Sequence, residues 1–115
     1  MRVDIDFELV NDKNDEIYNV VSEALANRYD WHRAIDCKYI SGDVQDVTDN
    51  ALCASKARDM FVAVVQDVAN QKHQIINIKA LDFMVNCVAK SYKPGDKIEY
   101  ITFKNYQDII IEPQE

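Results

Sequence analysis

Residue types capable of chemistry are present in this chain, but their spacing does not organise them into a reactive group. Three cysteines (Cys37, Cys53, Cys87) and two histidines (His32, His73) are scattered along it. Thiol catalysis needs a cysteine of lowered pKa beside a histidine that an acid or amide orients. Cys37 lies near His32 in sequence, yet no nucleophile signature frames either. Cys53 and Cys87 fall in amphipathic patterns that suit small buried residues. No phosphate-binding glycine loop, metalloprotease helix motif or zinc-type Cys/His spacing occurs. No catalytic residue is therefore assigned, and neither a cofactor nor a metal is expected.

Carboxylates are the abundant functional group. Residues 1–59 hold 13 Asp+Glu against 7 Lys+Arg, a net of −6, and residues 60–115 hold 7 against 6, a net of −1. Of the 20 acids, 14 are aspartates, whose short stems hold charge close to the backbone. Such a surface repels nucleic acid and anionic membranes and attracts basic protein surfaces. Asp4, Asp6 and Glu8 alternate with apolar residues and form one row on a strand. Residues i and i+2 on an open strand do not wrap a cation, so the row reads as a solvated, aggregation-resistant face. Asp43, Asp46 and Asp49 precede a helical pattern, where a carboxylate can cap exposed amides. Asp46 or Thr48 is the expected cap, and the surplus charge is a candidate contact for a basic partner.

One short segment has the composition of a binding hot spot. Arg28-Tyr29-Asp30-Trp31-His32-Arg33 gathers the only tryptophan, a tyrosine, two arginines and an acid just after a helix. Tyr, Trp and Arg bury much area while keeping a polar handle. The competing reading folds this loop back so that Trp31 plugs the edge of the core.

The elements that must hold these groups follow from periodicity. Val3, Ile5, Phe7 and Leu9 alternate with Arg2, Asp4, Asp6 and Glu8, which specifies a strand over 2–10. A helix over 15–29 repeats Ile17, Val20, Val21, Ala24 and Leu25, with Asn14 or Asp15 as the expected cap. Cys37 to Ile40 suggests a short strand ending at Gly42. The longest helical pattern covers 48–70, and its stretch Met60 to Val65, apolar all round, is expected to cross the core. Residues 77–91 fit a helix through Ile78, Leu81, Met84, Val85 and Val88, although Gln74 to Ile78 could begin as a strand. Pro94-Gly95 suits a type II turn. Lys97 to Lys104 and Asp108 to Glu112 read as the final strands.

This order predicts a single α+β domain over 1–115. A small antiparallel sheet would join the N-terminal strand to C-terminal strands and pack against two or three helices. With only two glycines and two prolines, a turn-dense all-β sandwich is disfavoured. No apolar run approaches the roughly 18–20 residues of a membrane span. The start, Met1-Arg2-Val3-Asp4, lacks the apolar segment of a secretory signal, and widely spaced cysteines suit reduced thiols, so cytoplasmic residence is the default expectation.

The predicted function is a non-enzymatic, acidic protein-interaction domain. Its contact residues would be Asp4, Asp6, Glu8, Tyr29, Asp30, Trp31, Asp43, Asp46 and Asp49, and its partner a protein with a basic surface. Direct binding of nucleic acid or membrane is not expected. Small size, acidity and scarce catalytic signatures are shared with many phage- or plasmid-encoded inhibitors that occupy nucleic-acid-binding surfaces of host proteins. This likeness is one of composition and covers no motif. The alternative is a small-molecule-binding domain or modest enzyme with a pocket between sheet and helices, where Tyr100, His32, Asp36 and Cys37 supply polar groups. A third expectation is a homodimer. Ile109, Ile110 and Ile111 make the last strand apolar on both faces, and one helix layer covers only one of them.

Overall fold

A computed structural model of the chain describes residues 1–33, 39–86 and 100–114. Its centre is strand β1 (Arg2–Leu9), whose apolar set Val3, Ile5 and Phe7 is buried. Two helices lie over that face. Helix α1 (Glu16–Tyr29) follows a 3-10 turn at Lys13–Asp15 and buries Ile17, Val21 and Leu25. Helix α2 (Asn50–Lys72) buries a longer stripe, Cys53, Ala54, Ala57, Phe61, Val64, Val65, Val68 and Ala69. Its Met60 to Val65 stretch has no exposed residue, as expected of a helix whose middle crosses the core. Phe61 carries the contact between layers. Its ring sits 4.8 Å from Phe7 and 6.4 Å from Phe83, and Phe7 stacks on Tyr18 at 4.9 Å.

The remaining strands are β2 (His32–Arg33), β3 (Ile40–Asp43), β4 (Ile76–Asn86), β5 (Tyr100–Asn105) and β6 (Ile109–Ile111). The sheet is antiparallel, in the order β2-β3-β1-β4-β5, and β6 also pairs with β4. The small α+β fold expected from the sequence is what forms. One detail differs: β1 shares the sheet with the C-terminal strands but does not pair with them, because β4 lies between. Asp6 pairs with Asp82 of β4, and Phe83 of β4 pairs in turn with Phe103 of β5.

The helix expected over 77–91 is instead this central strand, over 76–86. A β-bulge explains why the pattern misleads. Between Asp6 and Glu8 of β1 the register slips, so that Ala80 and Leu81 together face Phe7. Ala80 takes the left-handed conformation, φ 53°. The extra residue shifts the parity of the strand, so the buried set runs Ile76, Ile78, then Leu81, Phe83, Val85. A step of three in the middle imitates helical spacing, although each half alternates strictly.

Cys37, Asp36 and the first part of the Cys37 to Ile40 strand lie outside the described residues. So do Cys87, the end of the proposed 77–91 helix, the Pro94-Gly95 turn, residues 97–99 and the side chain of Tyr100. Among the described residues, no helix is long and apolar enough to cross a membrane.

Candidate functional site

The acidic row on β1 is not uniformly solvated. Asp4 is buried, with 6% of its surface exposed. Ser41 Oγ on β3 donates to Asp4 Oδ1 at 2.5 Å, and Arg2 Nε lies 3.4 Å from the same oxygen. The expectation of a fully wet strand face therefore fails at Asp4, because β1 is central and its neighbours on β3 and β4 close over the middle of the row. A carboxylate so placed needs the hydrogen bond it receives. Asp6 is half-buried, and Glu8, exposed, meets Lys79 Nζ at 3.6 Å. Among the described residues, no three His, Cys, Asp or Glu side chains converge to hold a metal ion.

Trp31 resolves to the plug. It is 1% exposed, and its Nε1 donates to the Asp43 carbonyl at 3.2 Å. The half-buried Tyr29 ring lies 5.0 Å away, and its hydroxyl donates to the Met60 carbonyl at 3.1 Å. The Arg28 guanidinium lies over the Tyr29 ring, 5.4 Å from its centre. Trp31 thus offers a partner no surface, and its place in the predicted contact set is corrected. It anchors the neighbouring chain instead. Asp30 closes α1 in the left-handed conformation, φ 60°, and its exposed carboxylate meets His32 Nε2 at 2.5 Å.

What Trp31 anchors is the acidic loop between β3 and α2. Val44, fully buried, exchanges two hydrogen bonds with Met1: its amide donates to the Met1 carbonyl and its carbonyl accepts from the Met1 ammonium, each at 2.8 Å. Lys56 Nζ donates to the Gln45 carbonyl at 2.8 Å. At the far end Asp49 caps α2, accepting from the Leu52 amide at 2.8 Å, so Asp49 and not Asp46 or Thr48 is the cap. Likewise α1 is not capped by the side chain of Asn14 or Asp15. Asp12 accepts from the amides of Ile17 (2.8 Å) and Tyr18 (2.9 Å). Asp43 and Asp46 remain. Both are exposed, and neither carboxylate makes an ion pair or hydrogen bond with a described residue.

Two of the clefts concern the residues singled out above. The first, about 370 Å³, is lined by Arg2, Asp30, His32, Arg33, Ser41, Gly42 and Asp43. It joins the post-α1 segment to the acidic loop across the β2–β3 edge, and it is of mixed charge. The second, about 250 Å³, lies between α2 and the β4–β5 pair and is lined by Ala51, Ala54, Ser55, Arg58, Phe83, Phe103, Lys104 and Asn105. Its helix wall is the i, i+3, i+4, i+7 stripe of α2, readable in the sequence only once its facing strands are known. The groups named from sequence for such a pocket are elsewhere or outside the described residues: His32 belongs to the first cleft.

Cys53 is fully buried, and desolvation pushes its thiol pKa up, opposed by the N-terminal ammonium and Lys56. That keeps it a thiol and a poor nucleophile. His73 is exposed at the left-handed end of α2. Of the last strand, Ile111 is buried, Ile109 half-buried and Ile110 61% exposed, with Ile110 pairing to Asn77 on the face away from the helices. Comparison of the chain with family models, with curated proteins and with solved structures finds no match.

Proposed function

We propose that this chain is a non-enzymatic protein-interaction domain in which the end of β3 and the β3–α2 loop present fixed carboxylates to a basic surface on another protein. The observation that carries the reading is the state of Asp43 and Asp46. They are exposed and meet no cation among the described residues, Asp43 at the end of β3 and Asp46 on the loop that follows, which Trp31, Val44, Lys56 and the α2 cap anchor. A loop already ordered loses little entropy on binding, so its charges convert to affinity at lower cost than those of a mobile tail. Asp30 extends the rim across the first cleft. Asp6 and Glu8, in the same row of β1 as Arg2, which stands opposite Asp43, add to the long-range attraction. The net charge of −7 favours encounter with a basic partner and disfavours nucleic acid and anionic membrane. A basic groove evolved for nucleic acid is a partner of matching chemistry, and an inhibitor acting in the cytoplasm, as phage-encoded ones do, would use such a surface.

The test compares wild type with the Asp43→Asn/Asp46→Asn double variant, each immobilised and exposed to bacterial lysate at about 50 mM and about 500 mM NaCl. The proposal expects basic proteins retained by wild type at low salt and lost both at high salt and in the variant. Equal retention by the two proteins would refute it.

The second cleft supports a separate reading. Two aromatic side chains, a wall of small residues and the Arg58 guanidinium suit a small amphipathic anion. A thermal-shift screen of aromatic and aliphatic carboxylates tests this, and no stabiliser among them counts against it. The exposed Ile110 on the C-terminal strand supports a homodimer, which light scattering tests against the 13.3 kDa monomer mass.

A further inference from the structure

The two edges of this sheet are built differently. At one edge β2 is two residues long, and both His32 and Arg33 are exposed. Short, charged edges resist the addition of another strand. At the other edge, β5 and β6 lie end to end along the same side of β4, whose opposite side is taken by β1. Among the described residues nothing pairs with their outer side. This longer edge is apolar: Ile101 is 42%, Ile110 61% and Tyr106 91% exposed.

We propose that residues 100–112 of two copies pair antiparallel along this edge, about a two-fold axis passing through Tyr106. The inference rests on the homodimer reading above and fixes its register. A two-fold axis normal to a sheet keeps every side chain on its own face, so a residue, and not a gap between residues, must sit on the axis. With Tyr106 there, Lys104 stands opposite Asp108 of the second copy, twice per dimer. Phe103 meets Ile109, Ile101 meets Ile111, and Thr102 meets Ile110. Lys104 and Asp108 face their opposites, Glu112 falls opposite Tyr100 at the end of the pairing, and most apolar residues face another. Moving the axis to Asn105 sets Lys104 against Tyr106 and Asp108 against Thr102. Moving it to Gln107 sets Lys104 against Ile110. Of these three registers, the one with Tyr106 on the axis is complementary.

The monomer is consistent with this arrangement. Asp108 is exposed and makes no ion pair with a described residue. Lys104 already pairs across the strands with Asp82 on the face away from the helices, so the added acid would set it between two carboxylates. The half-buried Phe103 and the exposed Ile101 lie on the helix side of the edge, and Ile109 and Ile111 of the second copy would extend their cover. The bend at Tyr106–Asp108, closed by a hydrogen bond from Asn105 Nδ2 to the Gln107 carbonyl, interrupts the edge. With the axis at Tyr106, the two bends meet at the centre and leave β5 of each copy to pair with β6 of the other.

Sedimentation velocity across a concentration series up to about 500 µM, followed by charge reversal, tests the register. Wild type is expected to approach twice the 13.3 kDa monomer mass. Lys104→Asp and Asp108→Lys, each placing like charges at two contacts, should weaken the dimer about tenfold, and the double variant should return to within about twofold of wild type. Ile110→Asp should also weaken it while leaving the far-ultraviolet dichroism of a folded monomer, since Ile110 is exposed in one copy. A monomer at every concentration overturns both the register and the homodimer. A dimer indifferent to charge reversal overturns the register alone.

Discussion

Replacing Gly42 with alanine should do more damage than adding one methyl group to a strand suggests. Gly42 lies in β3 opposite Val3, directly against the face of Trp31. A Cβ built there overlaps Cδ1 and Cγ of the indole and lies 2.5 Å from Nε1. The indole has nowhere to retreat: it is 1% exposed, held by the Asp43 carbonyl at 3.2 Å and by the Tyr29 ring at 5.0 Å. If the core yields around the methyl, overpacking costs about 1–3 kcal/mol. If the indole is expelled, the loss approaches the roughly 3–5 kcal/mol of deleting a buried tryptophan. A destabilisation of about 3 kcal/mol corresponds, for a domain of about this length, to a fall in midpoint near 12 °C. Because Trp31 is the only tryptophan, its emission reports the same event and should shift to the red in the folded variant. Urea unfolding followed by fluorescence and by circular dichroism measures both. A variant with an unshifted spectrum and a midpoint within about 2 °C of wild type would refute this account of the Trp31 slot.

Ala80→Gly should stabilise the chain by about 0.5–1 kcal/mol, measured by urea denaturation, because Ala80 holds φ 53° at the bulge and glycine accepts that conformation without a Cβ clash. Asp12→Ala should cost about 1–2 kcal/mol in the same assay, since one carboxylate accepts from both the Ile17 and Tyr18 amides. Cys53 should react with a thiol reagent far more slowly in native protein than in urea, and rapid native reaction would contradict its burial. Its folded pKa is raised above the unfolded value, so its contribution to stability is fully present below the unfolded thiol pKa and lost as pH rises through the folded one. Denaturation midpoints of wild type and Cys53→Ala should therefore converge or cross as pH enters the alkaline thiol range.

Elements were legible where one physical period ran unbroken. The Val3-Ile5-Phe7 alternation and the long α2 stripe specified their elements because each has a single buried face and no irregular residue inside it. β4 was misread because Ala80 interrupts its period, and a left-handed alanine leaves no trace in composition. The caps failed differently. Asp15 stands at the N-cap position of α1 yet makes no side-chain hydrogen bond, while Asp12, beyond the 3-10 turn, reaches back to the helix. Local spacing could not reveal a cap that depends on the turn between. For Trp31, residue type alone supported both a hot spot and a plug. What decides is Gly42, whose missing side chain makes room for the indole across the fold.

The charge imbalance needs a similar separation. Net charge acts at a distance whether or not a carboxylate is hydrogen-bonded, so all the acids of residues 1–59 contribute to encounter with a basic partner. A short contact is different, because it needs a carboxylate with free lone pairs and an unobstructed approach. Asp4 is enclosed by Ser41 and Arg2, Asp12 and Asp49 are committed to helix amides, Glu8 has Lys79, and Asp30 has His32. These groups shape the fold and its field but have less left to give a partner. Asp43 and Asp46 have no such partner among the described residues, on backbone fixed by the Trp31 slot and the Met1–Val44 bonds. The same packing that removes Trp31 from the surface therefore holds Asp43 and Asp46 in place, so on the proposed reading the tryptophan would serve recognition through the backbone it positions and not through its own area.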